Sequence, residues 1–549
     1  MIGRMLRNGI VVLILCLPAY ALQVSGATRG SALADVQQHI KNTWKSLTRS
    51  LSDCSALQDK KSGGKVTLYL PAEIPIPPDV AALSPKCNVM VERLPVRIEK
   101  LGAVDVSKIA AGLLYLPNPY VVPGGRFNEM YGWDSYFIIL GLIRDGKLDL
   151  ARGMADNFMF EIEHYGAVLN ANRSYYLTRS QPPFFTSMVL AVEQAEARHG
   201  NTNRTWLERA YADAVRDHAM WTTGPHLAGT TGLSRYYDFG EGPVPEEAGT
   251  YPEVAHDMLK RLDTRYFVPV ASPLLAEPAF TIFVCDQGLN FSTKSCPQVQ
   301  TVSLSADYYK GDRSMRESGF DISFRFGPFG GETHHYAPVD LNSLLYKSER
   351  DLAKIATMLG KQHEAQHWLE QAEARRQIMQ ELFWDAEQGQ FFDYDFTRQK
   401  RSTYEFATTF YPLWTGWATP GQARSVVEHT ASFAQPGGVV TSLTNSGVQW
   451  DWPYGWAPLQ LITVEGIRRY GFISEANRIS KAWLSMVLEN FRRDGTLREK
   501  YNVVTLTSET SVTAGYGVNV VGFGWTNGVF VTLLDQLPKD QQLQLLRFP

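Results

Sequence analysis

The stretches DLNSLLYKSERDLAKIATMLG (340–360) and EAQHWLEQAEARRQIMQELFW (364–384) are the clearest guide to the fold. Each places apolar side chains at i, i+3, i+4 and i+7, which is the spacing of one face of an α-helix. Gly360 stands between them, and glycine is the residue type that most often follows the end of a helix. We therefore predict a helical hairpin over 340–383.

The same helical pattern recurs beyond about residue 105, in segments joined by long loops rich in glycine, proline and aromatic residues. Further helices are predicted at 134–144, 147–163, 184–198, 203–222, 420–432, 455–470, 474–493 and 525–535. Few segments favour strands, and the best hairpin candidate is QGQFFDYDF (388–396). Many helix pairs with long loops indicate an all-α toroid in which the helices stack in two rings.

Two regions depart from this pattern. Residues 28–104 are predicted to form an N-terminal helix, at about 34–54, followed by an irregular wrapping arm that is dense in proline at 71–78. A catalytic domain is predicted over 105–549, with an insertion at about 247–316. Long loops inside a compact domain are commonly functional or covering elements.

Composition excludes some classes of partner. The 549 residues are 44% hydrophobic and 20% charged, which provides for a large core, and the net charge is −3. This balance does not favour binding to nucleic acid or to an anionic membrane surface. Aromatic residues make up 12% of the chain, a content that suits both a bulky core and the stacking of sugar rings.

The first residues resemble an export signal. Arg4 and Arg7 precede an apolar run at 10–17, and Ala19-Tyr20-Ala21 is a small-x-small cleavage site. The run is short for a membrane span. We therefore predict a signal peptide at 1–27 and a soluble mature protein, periplasmic or secreted, without a membrane anchor.

The cysteine content is compatible with an oxidising compartment. Cys16 lies in the predicted signal peptide, which leaves Cys54, Cys87, Cys285 and Cys296. Proximity along the chain favours the pairs Cys54–Cys87 and Cys285–Cys296, while two other pairings stay open.

Hydrolysis of a glycosidic bond needs two carboxyl groups, one to protonate the leaving oxygen and one to act on water or on the sugar. Four loop segments place carboxylates among glycine, proline, tryptophan or basic residues. They are PGGRFNEMYGWDSY (123–136), QWDWPYGWAP (449–458), ESGFD (317–321) and REKYN (498–502).

The first two segments resemble the signature motifs of the trehalase family nearly residue for residue. Supporting matches are RSQPP (179–183), PVDLN (338–342) and GFGWTNG (522–528). The resemblance extends over roughly residues 105–535. Little in 28–100 or 247–316 matches.

The resemblance implies an (α/α)6 barrel that cleaves α,α-trehalose to glucose with inversion and needs no cofactor or metal. It implies that Asp321 is the general acid and Glu499 the general base. It also implies a set of substrate-binding residues: Arg126, Trp133, Asp134, Asn170, Arg179, Ser180, Gln181, Glu246 and Gly319. We expect a disaccharide substrate and a monomer.

The residues themselves are compatible with these roles. Asp321 must hold a proton near neutral pH, and apolar neighbours such as Phe320 would favour its protonated form. Glu499 must stay ionised, which the adjacent Arg498 or Lys500 would favour.

Three further features bear on the site. Trp450 is expected to wall the sugar pocket, and Asp451 to bind backbone N–H groups. The adjacent pair His334-His335 suggests a metal only weakly, because no matching carboxylate spacing accompanies it, and a loop feature is favoured.

The sequence departs from the family at two binding positions. Val244 stands where the family has an arginine, and Tyr516 stands where it has a glutamate. Both changes remove polar sugar contacts, and such contacts discriminate strongly between sugars. The alternatives are therefore hydrolysis of another small glucoside or, less favoured because Asp321 and Glu499 are retained, a catalytically inactive sugar-binding protein.

Overall fold

A computed structural model describes residues 27–50, 53–57, 66–261, 263–269, 282–285, 299–513 and 519–545. The predicted signal peptide lies outside these residues except for Ala27, whose side chain is not described. Tyr516 and Cys296 also lie outside them.

The described residues are mainly helical. The helices, numbered in chain order, are α1 Ala27–Leu47, α2 Pro78–Ala81, α3 Leu83–Cys87, α4 Asp134–Arg144, α5 Leu148–Tyr165, α6 Phe185–Arg198, α7 Arg204–Trp221, α8 Tyr251–Lys260, α9 Ala306–Glu317, α10 Val339–Met358, α11 Gln362–Phe383, α12 Tyr411–Thr415, α13 Pro420–Phe433, α14 Ala457–Arg469, α15 Ile473–Asp494, α16 Gly524–Gln536 and α17 Lys539–Gln544.

The strands are short. They are β1 Thr48–Arg49, β2 Thr67–Leu70, β3 Met90–Arg93, β4 Leu113–Leu114, β5 Tyr120–Val121, β6 Phe267–Pro269, β7 Ile282–Cys285, β8 Val299–Leu304, β9 Tyr336–Ala337, β10 Trp384–Asp385, β11 Gln390–Phe391, β12 Tyr394–Asp395, β13 Lys400–Arg401, β14 Ala434–Gln435, β15 Gly438–Val439, β16 Tyr454–Trp456 and β17 Lys500–Asn502.

The helices form two concentric rings. Helices α4, α6, α10, α12, α14 and α16 pack side by side in that order, and α16 closes the inner ring against α4. Helices α5, α7, α11 and α15 pack outside their neighbours, and α13 covers the short β10–β11 hairpin. This arrangement confirms the predicted all-α toroid, an (α/α)6 barrel.

Helix α1 takes the remaining place in the outer ring. It packs against α15 and α16, and its apolar side chains Val36, Ile40, Trp44 and Leu47 are buried in the main core. This helix extends from Ala27 to Leu47, so it begins and ends earlier than the predicted 34–54. The division of the chain at about residue 104 stays a prediction.

The segment after α1 builds a small separate core. Strands β3, β2 and β4 form a parallel sheet, and Leu57, Leu68 and Leu83 are among its buried side chains. Cys54 and Cys87 are joined by a disulfide bond beside it. One of the two favoured pairings is therefore present, while Cys296 lies outside the described residues.

The predicted insertion at 247–316 folds over one end of the rings. It contains α8, the antiparallel sheet β6-β8-β7 and most of α9. Tyr251, Met258, Tyr308 and Met315 share one apolar cluster, which fixes α8 to α9. No helix in the described part of the chain is long and apolar enough to span a membrane.

Candidate active site

The candidate site is a cavity at the end of the inner ring where the inner helices begin. The space between its walls, counting the open mouth, is about 690 Å³. The lining residues come from the loops before α4, α6, α14 and α16, from the segment before α8, and from the end of α9 and the loop that follows it. They are Pro123, Phe127, Tyr131, Trp133, Asp134, Asn170, Tyr176, Arg179, Gln181, Glu246, Glu247, Arg316, Gly319, Asp321, Gln449, Trp450, Trp456, Glu499, Phe523 and Trp525.

Most of the predicted site residues meet in this cavity. Of the eleven, nine line it: Trp133, Asp134, Asn170, Arg179, Gln181, Glu246, Gly319, Asp321 and Glu499. Segments more than 300 residues apart in sequence are thus brought together by the closure of the ring. The catalytic and binding roles themselves stay predictions.

Arg126 and Ser180 lie beside the cavity rather than on its described wall. The Arg126 guanidinium is 4.7 Å from the centre of the Phe127 ring. Ser180 is buried, and its hydroxyl donates to the carbonyl oxygen of Val168 at 2.5 Å, while its backbone N–H donates to Glu317. In this arrangement Ser180 holds its loop against α9.

Asp321 follows α9 and is enclosed except where it faces the cavity. Burial raises the pKa of Asp321 to about 7, because the charged form loses hydration. The neighbouring Glu247 also raises this pKa, whereas Arg316 and Arg179 lower it. A carboxyl group with such a pKa can hold a proton near neutral pH and donate it to a substrate.

Glu499 immediately precedes β17, which pairs antiparallel with β16 and so brings the segments 449–456 and 498–502 together. Its side chain is buried and lies 3.3 Å from the ammonium of the fully buried Lys500. Lys500 therefore fixes the position of the Glu499 carboxylate on the cavity wall. The expectation that Glu499 acts as the base stays a prediction.

Asp134 opens α4 on the cavity wall. Burial raises the pKa of Asp134 well above its ordinary value, and the carboxyl groups of Glu499 and Asp321 raise it further. Asp134, Asp321 and Glu499 therefore lie close enough for their charges to interact, in a cavity that Glu246 and Glu247 also line.

Two arginine–carboxylate pairs form another part of the wall. Arg179 bonds to Glu246, and Arg316 lies 3.0 Å from Glu247. Burial alone would raise the pKa of Glu246, but Arg179 and Arg316 lower it below its ordinary value. The pairs therefore fix two guanidinium groups at the cavity, where they can donate to sugar hydroxyls.

Aromatic rings and one glycine form the remaining part of the cavity wall. Trp450 stacks on Trp456 with ring centres 3.8 Å apart, and Trp133 packs obliquely against Trp450 at 5.9 Å. Gly319 has φ +75°, and a Cβ there would lie 2.9 Å from the Trp133 ring. A glycine is required because no other residue combines that conformation with that contact.

Asp451, although close in sequence, is turned away from the cavity. Its carboxylate accepts hydrogen bonds from the backbone N–H of Phe324 and the hydroxyls of Ser323 and Ser446. The expectation of a structural role is confirmed by these contacts.

The cavity also contains residues that the sequence did not single out. Gln449 and Trp456 belong to the motif at 449–458, and Trp525 belongs to the motif at 522–528. The motifs therefore indicated the segments that line the cavity, although not these individual residues. Arg316 directly precedes the ESGFD segment, and its partner Glu247 belongs to the unmatched insertion. Nothing in local sequence indicates that these two form an ion pair on the wall.

Comparison with known proteins identifies relatives over most of the chain. A family model described as Trehalase matches residues 22–538. The chain is 37% identical over 444 residues to a cytosolic neutral trehalase of Saccharomyces cerevisiae and 36% identical over 547 residues to a probable trehalase of Eremothecium gossypii. The matches cover 75% and 89% of this chain, but 56% and 70% of those longer relatives.

Solved structures show the same fold. Neutral trehalase Nth1 from Saccharomyces cerevisiae superposes with a TM-score of 0.75 at 30% identity, covering 94% of this chain and 96% of that one. A GH63 mannosylglycerate hydrolase from Thermus thermophilus has a TM-score of 0.50 at 18% identity, covering 75% and 95% of the two chains. The similarity to the mannosylglycerate hydrolase shows a shared fold and nothing more.

The relatives contradict the prediction that the protein is periplasmic or secreted. Several of them, including those of Saccharomyces cerevisiae and Beauveria bassiana, are described as cytosolic neutral trehalases. The prediction of export is therefore wrong. It depended on two arginines before a short apolar run, a pattern of so few residues that it discriminates poorly between exported and other N-terminal segments.

Proposed function

Because this chain belongs to the trehalase family, we propose that it hydrolyses α,α-trehalose to two molecules of glucose, with inversion at one anomeric carbon. The observation that carries the proposal is that Asp321 and Glu499 meet in one cavity. Burial raises the pKa of Asp321 to about 7, and the Glu499 carboxylate lies 3.3 Å from the ammonium of Lys500. Two carboxyl groups in one cavity, one of which can hold a proton near neutral pH, suit a general acid and a general base.

In the proposed reaction, Asp321 gives its proton to the glycosidic oxygen as the bond to the anomeric carbon breaks. Glu499 takes a proton from a water molecule, whose oxygen attacks the same carbon from the opposite face. One product therefore starts as β-glucose, and the other, whose anomeric carbon is untouched, starts as α-glucose. Asp321 ends deprotonated and Glu499 protonated, so a proton exchange with solvent restores the site.

The remaining wall is proposed to hold the sugar. Arg179, Asn170 and Gln181 provide several hydrogen-bonding groups in fixed positions, which suits recognition of hydroxyls. Trp133 and Trp450 provide apolar faces against the ring C–H groups. These contacts would orient the anomeric carbon between Asp321 and Glu499, and positioning of this kind makes a large contribution to rate.

Val244 supports one alternative, hydrolysis of another small glucoside. It is completely buried in the apolar cluster with Tyr251 and Met315, so it offers no polar group to a sugar. However, Arg316 places a guanidinium on the wall near Glu246. This compensation favours trehalose, and rates on a panel of glucosides would decide between the two substrates.

The test of the proposal is the substitution Asp321→Asn. It removes the transferable proton but keeps the size of the side chain, so we expect glucose release from trehalose to fall at least about a thousandfold. Trehalose affinity, measured by calorimetry, should change by less than about threefold. Asp149→Asn, on the exposed first turn of α5, is the control and should retain the full rate. An Asp321→Asn variant with more than a tenth of the wild-type rate would contradict the assignment.

A further inference from the structure

A second cluster of ligand-type side chains lies outside the cavity. Asp307, His334 and His335 each offer one atom suited to a metal ion, and these atoms all lie within 4.8 Å of one another. Asp307 Oδ1 is 3.0 Å from His334 Nε2 and 3.4 Å from His335 Nε2. None of the three residues lines the candidate active site.

The two distances from Asp307 match the edges of a zinc coordination shell. With metal–ligand bonds of 2.0–2.1 Å, neighbouring ligand atoms of a tetrahedron are about 3.3 Å apart. The two distances from Asp307 are close to that value. One ligand atom from each of the three residues lies within 4.8 Å of the other two, so binding one ion requires the two rings to draw closer together.

The rings of His334 and His335 do not use all of their nitrogen atoms in hydrogen bonds to the described residues. The His334 side chain is only 8% exposed, and in the described part of the chain the Nδ1 atoms of His334 and His335 have no hydrogen-bond partner. Buried ring nitrogens normally find partners. Here the polar interaction of both rings is concentrated on the side of Nε2, toward Asp307.

We propose that Asp307, His334 and His335 bind one Zn²⁺ ion, with water in the fourth position. Two imidazoles and one carboxylate form a donor set that zinc accepts in a tetrahedral geometry. The anionic side chain of Asp307, which is 56% exposed, leaves the ion a path from solvent. It also offsets the partial positive charge of the α9 N-terminus, which by itself disfavours a cation.

The ion would join α9, a helix that borders the active site, to the short turn that precedes β9. Asp307 lies in the first turn of α9, and the histidines end the short turn 333–335 before β9. At its other end, α9 carries Arg316 to the cavity wall and leads into Gly319 and Asp321. The bound ion would therefore stabilise the position of α9, and this role does not depend on the proposed sugar chemistry.

The experiment is a calorimetric titration of the chelator-treated full chain with ZnCl₂ in a non-chelating buffer. His363 and His367 are exposed and four residues apart on α11, an arrangement that can also take up zinc. The double substitution His363→Gln with His367→Gln therefore serves as the reference protein. Asp307→Asn and, separately, His334→Gln are made in that reference.

We expect one equivalent of zinc per reference chain and a rise in its melting temperature with zinc. Asp307→Asn is expected to weaken this binding at least tenfold and to remove the rise. Because Asp307 is largely exposed, this variant should fold even if His334→Gln does not. A reference chain that takes up no zinc, or an Asp307→Asn variant that binds as the reference does, would overturn the proposal.

Discussion

Lys500 Nζ lies 3.3 Å from Glu499 Oε2, and the two side chains are only 0% and 7% exposed. The same ammonium donates to Gln449 Oε1 at 3.1 Å, and the Gln449 amide donates to the backbone carbonyl of Asp321. A continuous chain of contacts therefore joins the proposed base to the segment that carries the proposed acid.

Replacing Lys500 by Met should impair both activity and stability. The substitution keeps much of the apolar stem but leaves Glu499 buried without its cation, a change that typically costs about 3–5 kcal/mol. The substitution also removes the contact that holds the Glu499 carboxylate in place, and a misplaced catalytic group acts poorly. We expect kcat to fall at least about a hundredfold.

Steady-state rates together with thermal unfolding test this prediction. Lys539→Met, at the exposed start of α17, provides the matched control and should leave both quantities unchanged. A Lys500→Met variant of normal kcat would show that Glu499 does not depend on this ammonium.

Replacing Glu247 by Gln should move the alkaline limb of the pH–rate profile. The proposed acid must be protonated, so kcat/KM should fall as the pH rises through about 7, the pKa to which burial raises Asp321. Glu247 adds to that rise, and its neutralisation should lower the pKa of Asp321. The alkaline limb should therefore shift to lower pH.

The control for this shift is Glu253→Gln, which removes the same charge from the exposed side of α8. Its profile should superpose on that of the wild type. A limb that stays in place, or moves to higher pH, in Glu247→Gln would mean that this limb does not report Asp321.

Replacing Gly319 by Ala should displace the Trp133 ring, which lines the cavity, and so lower activity. Gly319 has φ +75°, and its new Cβ would meet the Trp133 ring at 2.9 Å. Gly200 has φ +76° with no atom within 4 Å of such a Cβ, so Gly200→Ala carries the backbone cost alone, about 1–2 kcal/mol.

Comparison of the two variants separates backbone strain from steric overlap. We expect both to melt at a lower temperature, with only Gly319→Ala losing kcat/KM by about tenfold or more. Equal activities for the two variants would contradict a role for the close contact between Gly319 and Trp133.

Replacing Glu246 by Ala should weaken both sugar binding and folding. Among the described residues, Arg179 would then keep only Asp238, 3.4 Å away, as a charged partner. Loss of one member of a buried pair typically costs about 3–5 kcal/mol, whereas Glu208→Ala, which breaks the exposed pair with Arg204, should cost less than about 1 kcal/mol. Urea unfolding and KM measure these effects, and a Glu246→Ala variant as stable as Glu208→Ala would refute the expectation.

Periodic sequence patterns predicted the ring helices well. The helices α10 and α11, at 339–358 and 362–383, lie within two residues of the predicted segments. Each buries one apolar face, which is the property that periodicity detects.

Several helices escaped prediction, and the reasons are clear for α9 and α12. Helix α9 buries Lys310, Asp312, Arg313 and Arg316 beside a few apolar side chains, so its sequence shows only a weak apolar stripe and falls in the predicted insertion. Helix α12 has only five residues, too few for a helical period to be recognised. Helices of these kinds are specified by tertiary contacts rather than by local pattern.

The candidate site was predictable to the extent that its residues stand in motifs. Asp134, Asp321 and Glu499 belong to motifs that the ring closure brings together. The pair Arg316–Glu247 arises only because the insertion folds over the cavity, and it has no local signature.

The most direct test of the central claim is proton NMR of glucose released from trehalose by the purified protein, recorded from the first minute. Inversion by Asp321 and Glu499 predicts equal initial amounts of α- and β-glucose, because only one anomeric carbon changes configuration. Release of α-glucose alone would contradict inversion, and no release by the folded protein would contradict trehalose hydrolysis itself.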